Sequence, residues 1–309
     1  MAEQKRKRRD IHGIVLLDKP RGLTSNQALQ RVKRLCNANK AGHSGSLDPL
    51  ATGMLPICFG EATKLSGFML AANKCYEVRA TLGTATATGD ADGNVIEQAP
   101  VPALSEQAVL AAIDRFVGTI EQVPPMYSAL KHEGQRLYAL ARKGIEIDRP
   151  PRTIEIHSLE LLSYDSPTLE LRVRCSKGTY IRTLVEDLAK ALGTLGHVTD
   201  LRRLAVAPFE GQEMTTLAVA EAAAEAGPEQ IDALLLPMDS ALADWPRLVV
   251  APENAKRLVQ GQTVPAEPGW PESKVLLYVP GQRFFGIGEI LPHRRLVPKR
   301  IFPALSSWS

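Results

Sequence analysis

Tyr76-Glu77-Val78-Arg79-Ala80-Thr81-Leu82 is the stretch on which the fold turns. Tyr76, Val78, Ala80 and Leu82 fall on one side of an extended chain, and Glu77, Arg79 and Thr81 on the other, because successive side chains of a strand point to opposite faces. A strand with one apolar and one charged face belongs to a sheet that is wet on one side, which parallel α/β sheets are not. Working outward, residues 154–162 and 168–175 read as further strands. Thr24 or Ser25 offers an N-cap to a helix with Leu29, Val32, Leu35 and Cys36 on one face. Residues 105–116 read as a second helix, and Gly178-Thr179 leads into a third that spaces Ile181, Leu184, Val185, Leu188 and Leu192 helically. If Thr179 caps that helix, Arg182 falls in its first turn, where a cation opposes the helix dipole. A buried carboxylate partner would explain such a placement. The apolar run at 14–17 closes in Asp18-Lys19-Pro20-Arg21-Gly22, and Asp90-Ala91-Asp92-Gly93 makes another turn. Strands and helices without a regular βαβ rhythm predict an α+β fold: a mainly antiparallel mixed sheet flanked by helices.

The composition changes near Trp245-Pro246. Beyond it, apolar runs at 275–279, 284–290 and 296–302 alternate with Pro280-Gly281 and Pro292-His293, the rhythm of a small C-terminal β-barrel-like domain. The expected organisation is therefore a disordered basic arm at 1–10, a large domain at 11–245 and a small one at 246–309. The stretch 126–152 is polar and basic and ends in Pro150-Pro151, so it reads as an insertion lying over the surface of the large domain.

The chain has 309 residues, 44% hydrophobic and 23% charged, an ordinary globular composition. Cys36, Cys58, Cys75 and Cys175 are scattered and form no C-x-x-C pair, which argues against a disulfide framework or a zinc site and for a reducing cytoplasm. No apolar run approaches the ~20 residues that span a bilayer. The net charge of +3 becomes informative once located. Lys5, Arg6, Lys7, Arg8 and Arg9 against Glu3 and Asp10 account for the whole excess. Elsewhere the charges balance but segregate: Lys131 to Arg152 and Arg172 to Arg203 are basic, whereas Gln212 to Trp245 carries acids and no Lys or Arg. Segregation of this kind suits a polyanion met by particular surfaces.

The densest chemistry lies in Gly42-His43-Ser44-Gly45-Ser46-Leu47-Asp48-Pro49-Leu50-Ala51-Thr52-Gly53. Asp before Pro commonly starts a turn, and Ser and Gly fill loops. Yet the same loop sets a carboxylate near a histidine, among glycines that let another molecule approach closely. It is a long structured loop early in a domain, which is where function often sits. His43 to Gly53 resembles the catalytic-aspartate motif of the TruB family, the tRNA pseudouridine-55 synthases. Lys19-Pro20 followed by Gly22 resembles the family's first motif. Gly60-Glu61-Ala62-Thr63-Lys64 with Lys74-Cys75-Tyr76 resembles the next, and there Tyr76 matches the active-site tyrosine. Ser176-Lys177-Gly178-Thr179-Tyr180-Ile181-Arg182-Thr183 resembles the third, with Arg182 matching the arginine that pairs with the catalytic aspartate. Leu201-Arg202-Arg203 resembles the short motif whose leucine packs on the target base, and the C-terminal segment is similar to a PUA domain, an RNA-binding module. Ser44 stands where the family has Thr, and both offer a hydroxyl. The resemblance spans nearly all residues past 12.

The resemblance implies a pseudouridine synthase fold and an isomerase that converts the T-loop uridine 55 of elongator tRNAs, with no cofactor and no metal. It implies catalytic Asp48, Tyr76 and Arg182, and substrate-binding His43, Tyr76, Tyr180 and Leu201. An arginine within a few ångströms would depress the Asp48 pKa by ~1–3 units and orient it. Lys131, Arg136, Arg142 and Lys143 make the insertion a candidate RNA lid, and Arg294, Arg295, Lys299 and Arg300 are candidate phosphate contacts near the acceptor arm. The expected partner is tRNA, with no membrane, no protein partner, and a monomer. Asp48 could attack the ribose carbon or the uracil ring, or act as a base at the sugar; the sequence leaves the route open. Two rival readings remain: an RNA-binding or RNA-folding protein without catalysis, and a glycosylase that releases uracil.

Overall fold

The computed structural model describes residues 7–305; residues 1–6 of the expected arm and 306–309 lie outside the described residues. Nine strands form the main sheet: β1 (Gly13–Lys19), β2 (Ala41–His43), β3 (Thr52–Phe59), β4 (Lys74–Leu82), β5 (Gly118–Gln122), β6 (Arg152–Asp165), β7 (Thr168–Cys175), β8 (Gly196–Val206) and β9 (Thr215–Thr216). They run in the order β9-β1-β3-β8-β4-β7-β6-β5, with β2 paired to β3. The β9–β1 and β8–β3 pairs are parallel and the rest antiparallel, so the sheet is mixed and mainly antiparallel. The helices that bear on the site are α1 (Ser25–Leu35), α2 (Ser66–Ala71), α3 (Glu106–Asp114), α4 (Leu137–Ala141) and α5 (Ile181–Ala191).

The alternation at Tyr76–Leu82 works as its period demands. Tyr76, Val78, Ala80 and Leu82 enter one apolar cluster with Val15, Leu17, Leu55 and Ile57, and α1, α3 and α5 close over it with Leu29, Val32, Val109, Ile113, Ile181 and Leu184. Each such large aliphatic side chain contributes about 1.5–3 kcal/mol when fully buried. Arg79 on the opposite face is exposed and pairs with Glu170 of β7. Thr24 caps α1 and reciprocates with Gln27, a capping box that satisfies orphan amides at the helix start.

Toward β1 and β3 the second face of the sheet is also covered. Ile14, Leu16, Met54 and Cys58 share a cluster with Leu276, Tyr278, Phe284, Ile287 and Phe302. Those five come from the C-terminal region, whose second sheet is built of β10 (Arg247–Val249), β11 (Val264–Pro265), β12 (Lys274–Val279), β13 (Arg283–Leu291) and β14 (Arg295–Ile301), ordered β10-β12-β13-β14-β11. Burial on both faces is why residues 14–17 read as an unbroken apolar run instead of an alternating one. The C-terminal sheet keeps a core of its own as well, from Val275, Leu277, Phe285, Ile290 and Leu296 packed with Ala255 and Leu258.

Three expectations change. Arg9 and Asp10, assigned to a disordered arm, are held to the body. The Arg9 amide donates to Asn37 O (2.7 Å), the Asn39 amide donates to Arg9 O (2.9 Å), and the Arg9 guanidinium pairs with Asp232. Asn39 Nδ2 donates to Asp10 Oδ1 (3.0 Å). The long loop at 40–53 is shorter than the glycine content suggested, because Ala41–His43 and Thr52–Phe59 pair as strands and leave only residues 44–51 between them. The insertion at 126–152 contains a small hairpin, Lys131–His132 with Gln135–Arg136, followed by α4. Leu137 and Leu140 are buried beneath it, while Lys131, Arg136, Arg142 and Lys143 are exposed.

Candidate active site

Loop 44–51 is fastened at nearly every residue except the one of interest. The Ser44 amide donates to Pro56 O (3.0 Å) and its hydroxyl to Ser66 O (3.2 Å). Ser25, at the start of α1, clamps Leu47 from both sides: the Leu47 amide donates to Ser25 Oγ (2.7 Å), and that hydroxyl donates to Leu47 O (3.0 Å). The Ala51 amide donates to Asp48 O (3.1 Å), closing the turn that Asp-Pro begins, and the Gly22 amide donates to Pro49 O (2.8 Å). Each bond contributes roughly 1 kcal/mol net, and together they fix the backbone around a side chain that none of them engages. Gly53 follows the loop with φ +96°, and a Cβ there would stand 2.2 Å from Arg203 O, so only glycine fits.

The side chain so presented is that of Asp48, which lines a cavity of about 360 Å³ together with Leu47, Tyr76, Tyr180, Arg182 and Leu201. Five of the six residues expected for catalysis and substrate binding thus meet in one place. β4 supplies Tyr76, β8 supplies Leu201, and the junction of β7 with α5 supplies Tyr180 and Arg182. Register explains the first two: β4 and β8 are paired neighbours, with Tyr76 opposite Arg203 and Val78 opposite Leu201. Tyr180, not Thr179, is the N-cap of α5, and no side chain caps it. Instead Gln122 of β5 brackets its backbone, accepting from the Tyr180 amide (2.8 Å) and donating to the Tyr180 carbonyl (3.1 Å).

Arg182 lies in the first turn of α5, where a cation opposes the helix dipole. Its surroundings resolve that conflict. Nε stands 3.1 Å from Asp48 Oδ2 and 3.8 Å from Asp90 Oδ2, and the two terminal nitrogens donate to Thr88 O (2.5 Å) and Tyr127 O (2.7 Å). The Arg182 side chain is 6% exposed and that of Asp48 is 44% exposed, so the carboxylate faces the cavity while its partner is sealed behind it. Tyr127 belongs to the root of the insertion, which ties that segment to the same guanidinium.

The electrostatics depart from expectation. Arg182 does favour the charged form of Asp48, but burial at the cavity floor is the larger effect, and Asp90 and Asp92 add repulsion. The Asp48 pKa is therefore raised above the usual carboxylate value, not depressed. Lys19, fully buried at the end of β1, donates to Pro20 O (2.9 Å) and Leu23 O (2.7 Å). Burial lowers its pKa to about 8, partly offset by Asp48. The Tyr76 phenol is pushed up by burial, against the Arg203 guanidinium, which favours the phenolate.

His43 is the expected site residue that does not line the cavity. It lies partly buried on β2 with Nδ1 unpartnered, and burial followed by the charges of Arg203 and Arg136 lowers its pKa, so it is held neutral. Among the C-terminal cations, the Arg294 guanidinium donates to Trp270 O (2.8 Å) and Glu267 O, and that of Arg295 to Thr263 O (3.2 Å) and Thr263 Oγ1 (2.6 Å). Lys299 pairs with Glu289 (2.6 Å), and Arg300 donates to Lys64 O (3.3 Å).

Four buried charges are given no role from the sequence: Lys74 and Arg203, which line the cavity, and Lys19 and Asp90, which do not. Arg203 is 1% exposed and donates to Met54 O (2.7 Å) and Gly45 O (3.0 Å), bracing both ends of loop 44–51. A signal for it exists in the sequence, since it stands two residues from Leu201 and so on the same face of the strand. Lys74 lines the cavity and donates to Met69 O (3.1 Å), Leu70 O (2.8 Å) and Ala72 O (2.5 Å), satisfying carbonyls at the end of α2.

The family profile described as TruB family pseudouridylate synthase (N terminal domain) matches residues 33–181. Those described as tRNA pseudouridylate synthase B C-terminal domain and Pseudouridine synthase II TruB, C-terminal, match 182–243 and 246–302. Among curated proteins, the chain is 51% identical over 292 residues to tRNA pseudouridine synthase B of Nitrosococcus oceani, covering 94% of this chain and 95% of that one. It is 52% identical over 307 residues to the protein of the same name from Sodalis glossinidius, covering 97% and 98%. A chain in the crystal structure of a Cbf5-Nop10-Gar1 complex superposes with a TM-score of 0.72 at 24% identity, over 94% of this chain and 84% of that one, which shows the shared fold. With the profiles covering most of its length and half its residues shared with full-length relatives, the chain belongs to the TruB family of pseudouridylate synthases.

Proposed function

We propose that the protein isomerises uridine 55 in the T-loop of elongator tRNAs to pseudouridine, with Asp48 as its catalytic carboxylate. The observation that carries this reading is the 3.1 Å approach of Arg182 to Asp48 at the floor of a cavity that Tyr76 and Leu201 also line. The uridine must leave its stack before its glycosidic bond is reachable, at a cost of a few kcal/mol. Tyr76 stacks on the everted base and offsets about 1–3 kcal/mol of that cost, while Leu201 packs against it and Tyr180 closes the wall opposite. The bond from C1′ to N1 breaks, uracil turns within the closed site, and C1′ bonds to C5. N1 gains a proton and C5 loses one, so the reaction balances without an oxidant, a reductant or a second substrate. Asp48 supports the cleavage by attack on the sugar or the ring, or by removing a proton from the sugar. Arg182 holds it in place and steadies its charge.

In this reading residues 11–245 form the catalytic domain and 246–309 a PUA-like RNA-binding domain. Residues 126–152 form a lid whose Lys131, Arg136, Arg142 and Lys143 meet RNA phosphates, with His43 beneath it at the base-contacting edge. The enzyme works as a monomer in the cytoplasm, where its substrate is. The test is to incubate the full chain with unmodified tRNA, digest the RNA and separate the nucleosides. Pseudouridine at position 55 is the expected product; free uracil would mark a glycosylase, and unchanged RNA with tight binding a non-catalytic RNA binder.

A further inference from the structure

Residues 7–10, the described root of the basic arm, are fastened to the body of the protein. Arg9 is held through backbone bonds to Asn37 and Asn39 and through its ion pair with Asp232, and the Lys7 carbonyl accepts from Asn37 Nδ2 (3.1 Å). This lays Arg8 beside the last turn of α1, in a groove of about 190 Å³ lined by Arg8, Gln30, Lys33, Arg34, Asn37 and Ala38. Among the described residues no acid lines the groove, and α1 contains none. Arg34 Nε donates to Gln30 O (3.2 Å), while the Arg8 and Lys33 side chains meet no carboxylate among the described residues. Lys5 and Arg6 precede this segment in the sequence.

The groove lies on the catalytic side of the sheet. α1 packs into the same cluster as Tyr76, Leu47 and Ile181, whereas the C-terminal sheet covers the other face. Ser25, the first residue of α1, holds Leu47 next to Asp48, and Arg34 follows about 13 Å along the helix axis. α1 therefore runs from the loop that carries Asp48 to a groove lined by cations.

We propose that this groove is a contact for the RNA phosphate backbone beyond the nucleotide in the cavity. The proposal rests on the reading of the protein as an RNA-modifying enzyme. Asn37 and Gln30 supply neutral donors between the cations, a combination suited to phosphate oxygens and free of base-reading demands. The contact strengthens binding without touching the chemistry.

The test uses the full chain with Arg8→Gln, Lys33→Gln and Arg34→Gln combined, and an unmodified tRNA, with affinity measured from about 50 to about 200 mM salt. The salt slope should become shallower by about 0.7–0.9 for each phosphate no longer neutralised, with affinity roughly tenfold weaker at low salt. Turnover at saturating RNA and the thermal melt should match the parent. An unaltered slope and affinity would overturn the proposal, as would a loss confined to binding phosphatidylserine vesicles. If the parent chain formed no pseudouridine, the proposed function would fall, and the salt slope would still decide whether the groove holds RNA.

Discussion

Arg182 Nε stands 3.1 Å from Asp48 Oδ2, and the rest of that guanidinium is committed to the carbonyl oxygens of Thr88 and Tyr127, with the Asp90 carboxylate nearby. The arginine cannot turn away from Asp48 without orphaning buried carbonyls. It acts as a fixed mount, so the carboxylate keeps one orientation toward the cavity although nearly half of its surface is open.

Arg182→Lys removes this mount. A single ammonium cannot serve two carboxylates and two carbonyls in that planar arrangement. The expected result is a loss of about 100-fold or more in kcat with little change in KM, read by steady-state pseudouridine formation. Arg182→Ala leaves two acids near one another without their cation and should lower stability by about 3–5 kcal/mol in denaturant unfolding.

The direction of the Asp48 pKa predicts a pH profile. Burial and the neighbouring Asp90 and Asp92 raise it, so the carboxylate is lost on acidification earlier than for an ordinary Asp. Lys19 lowers that pKa, so Lys19→Met should move the acid limb of kcat to still higher pH. A limb that stayed in place would show that another group titrates there.

Asp48→Asn separates function from stability. It should abolish pseudouridine formation while leaving tRNA affinity intact, and retained turnover would refute the catalytic assignment. Because the folded-state pKa of Asp48 lies above its unfolded value, its contribution to stability is present at low pH and lost as pH rises through the folded pKa. The variant should therefore melt at a higher temperature than the parent at neutral pH. The gap should shrink as the solution is acidified and the parent takes up its proton, which calorimetry across pH ~4 to ~8 can follow.

Tyr76 presents its ring to the cavity and its hydroxyl to the neighbourhood of Arg203. Tyr76→Ala should weaken binding of RNA with an everted target by about 1–3 kcal/mol, the value of one stacked base, whereas Tyr76→Phe keeps the stack and the affinity. Equal losses in both variants would assign the affinity to the hydroxyl.

The two basic regions should respond differently to neutralisation. Lys131, Arg136, Arg142 and Lys143 are exposed, so changing them to Gln should flatten the salt dependence of tRNA binding with little effect on melting. Arg294 and Arg295 already satisfy the carbonyls of Trp270, Glu267 and Thr263, so Arg294→Gln with Arg295→Gln should lower the melting temperature first. A variant pair that changed the salt slope and left the melt alone would assign these arginines to RNA instead.

Much of this is legible in the chain itself. Alternation at Tyr76–Leu82 carries the half-wet strand, the helical spacing of Ile181, Leu184, Val185 and Leu188 carries α5, and the turn residues around 280 and 292 mark the C-terminal sheet. Each is a local rule of period or turn chemistry, and local rules need no knowledge of neighbours. The motifs also name Asp48, Tyr76, Arg182 and Leu201, which the structure gathers at one cavity.

Less legible are the consequences of what packs against what. Apolar residues 14–17 declare themselves buried without saying that a second sheet covers their other face. Arg203 sits in a basic stretch that suits a polyanion, and it is the brace beneath the loop. The sign of the Asp48 pKa shift runs against the sequence expectation because an arginine partner can be inferred from a motif, whereas desolvation depends on every wall around the group.

Periodicity, caps and turn residues act within a few positions, so the class of fold and most elements can be read from the chain alone, whereas the site residues are named only by the resemblance of its motifs to a family. Packing alone sets β4 beside β8, brings the sealed guanidinium of α5 to a loop from the other end of the domain, and makes burial outweigh that charge at Asp48. Contact between distant segments and exclusion of water are properties of the assembled chain.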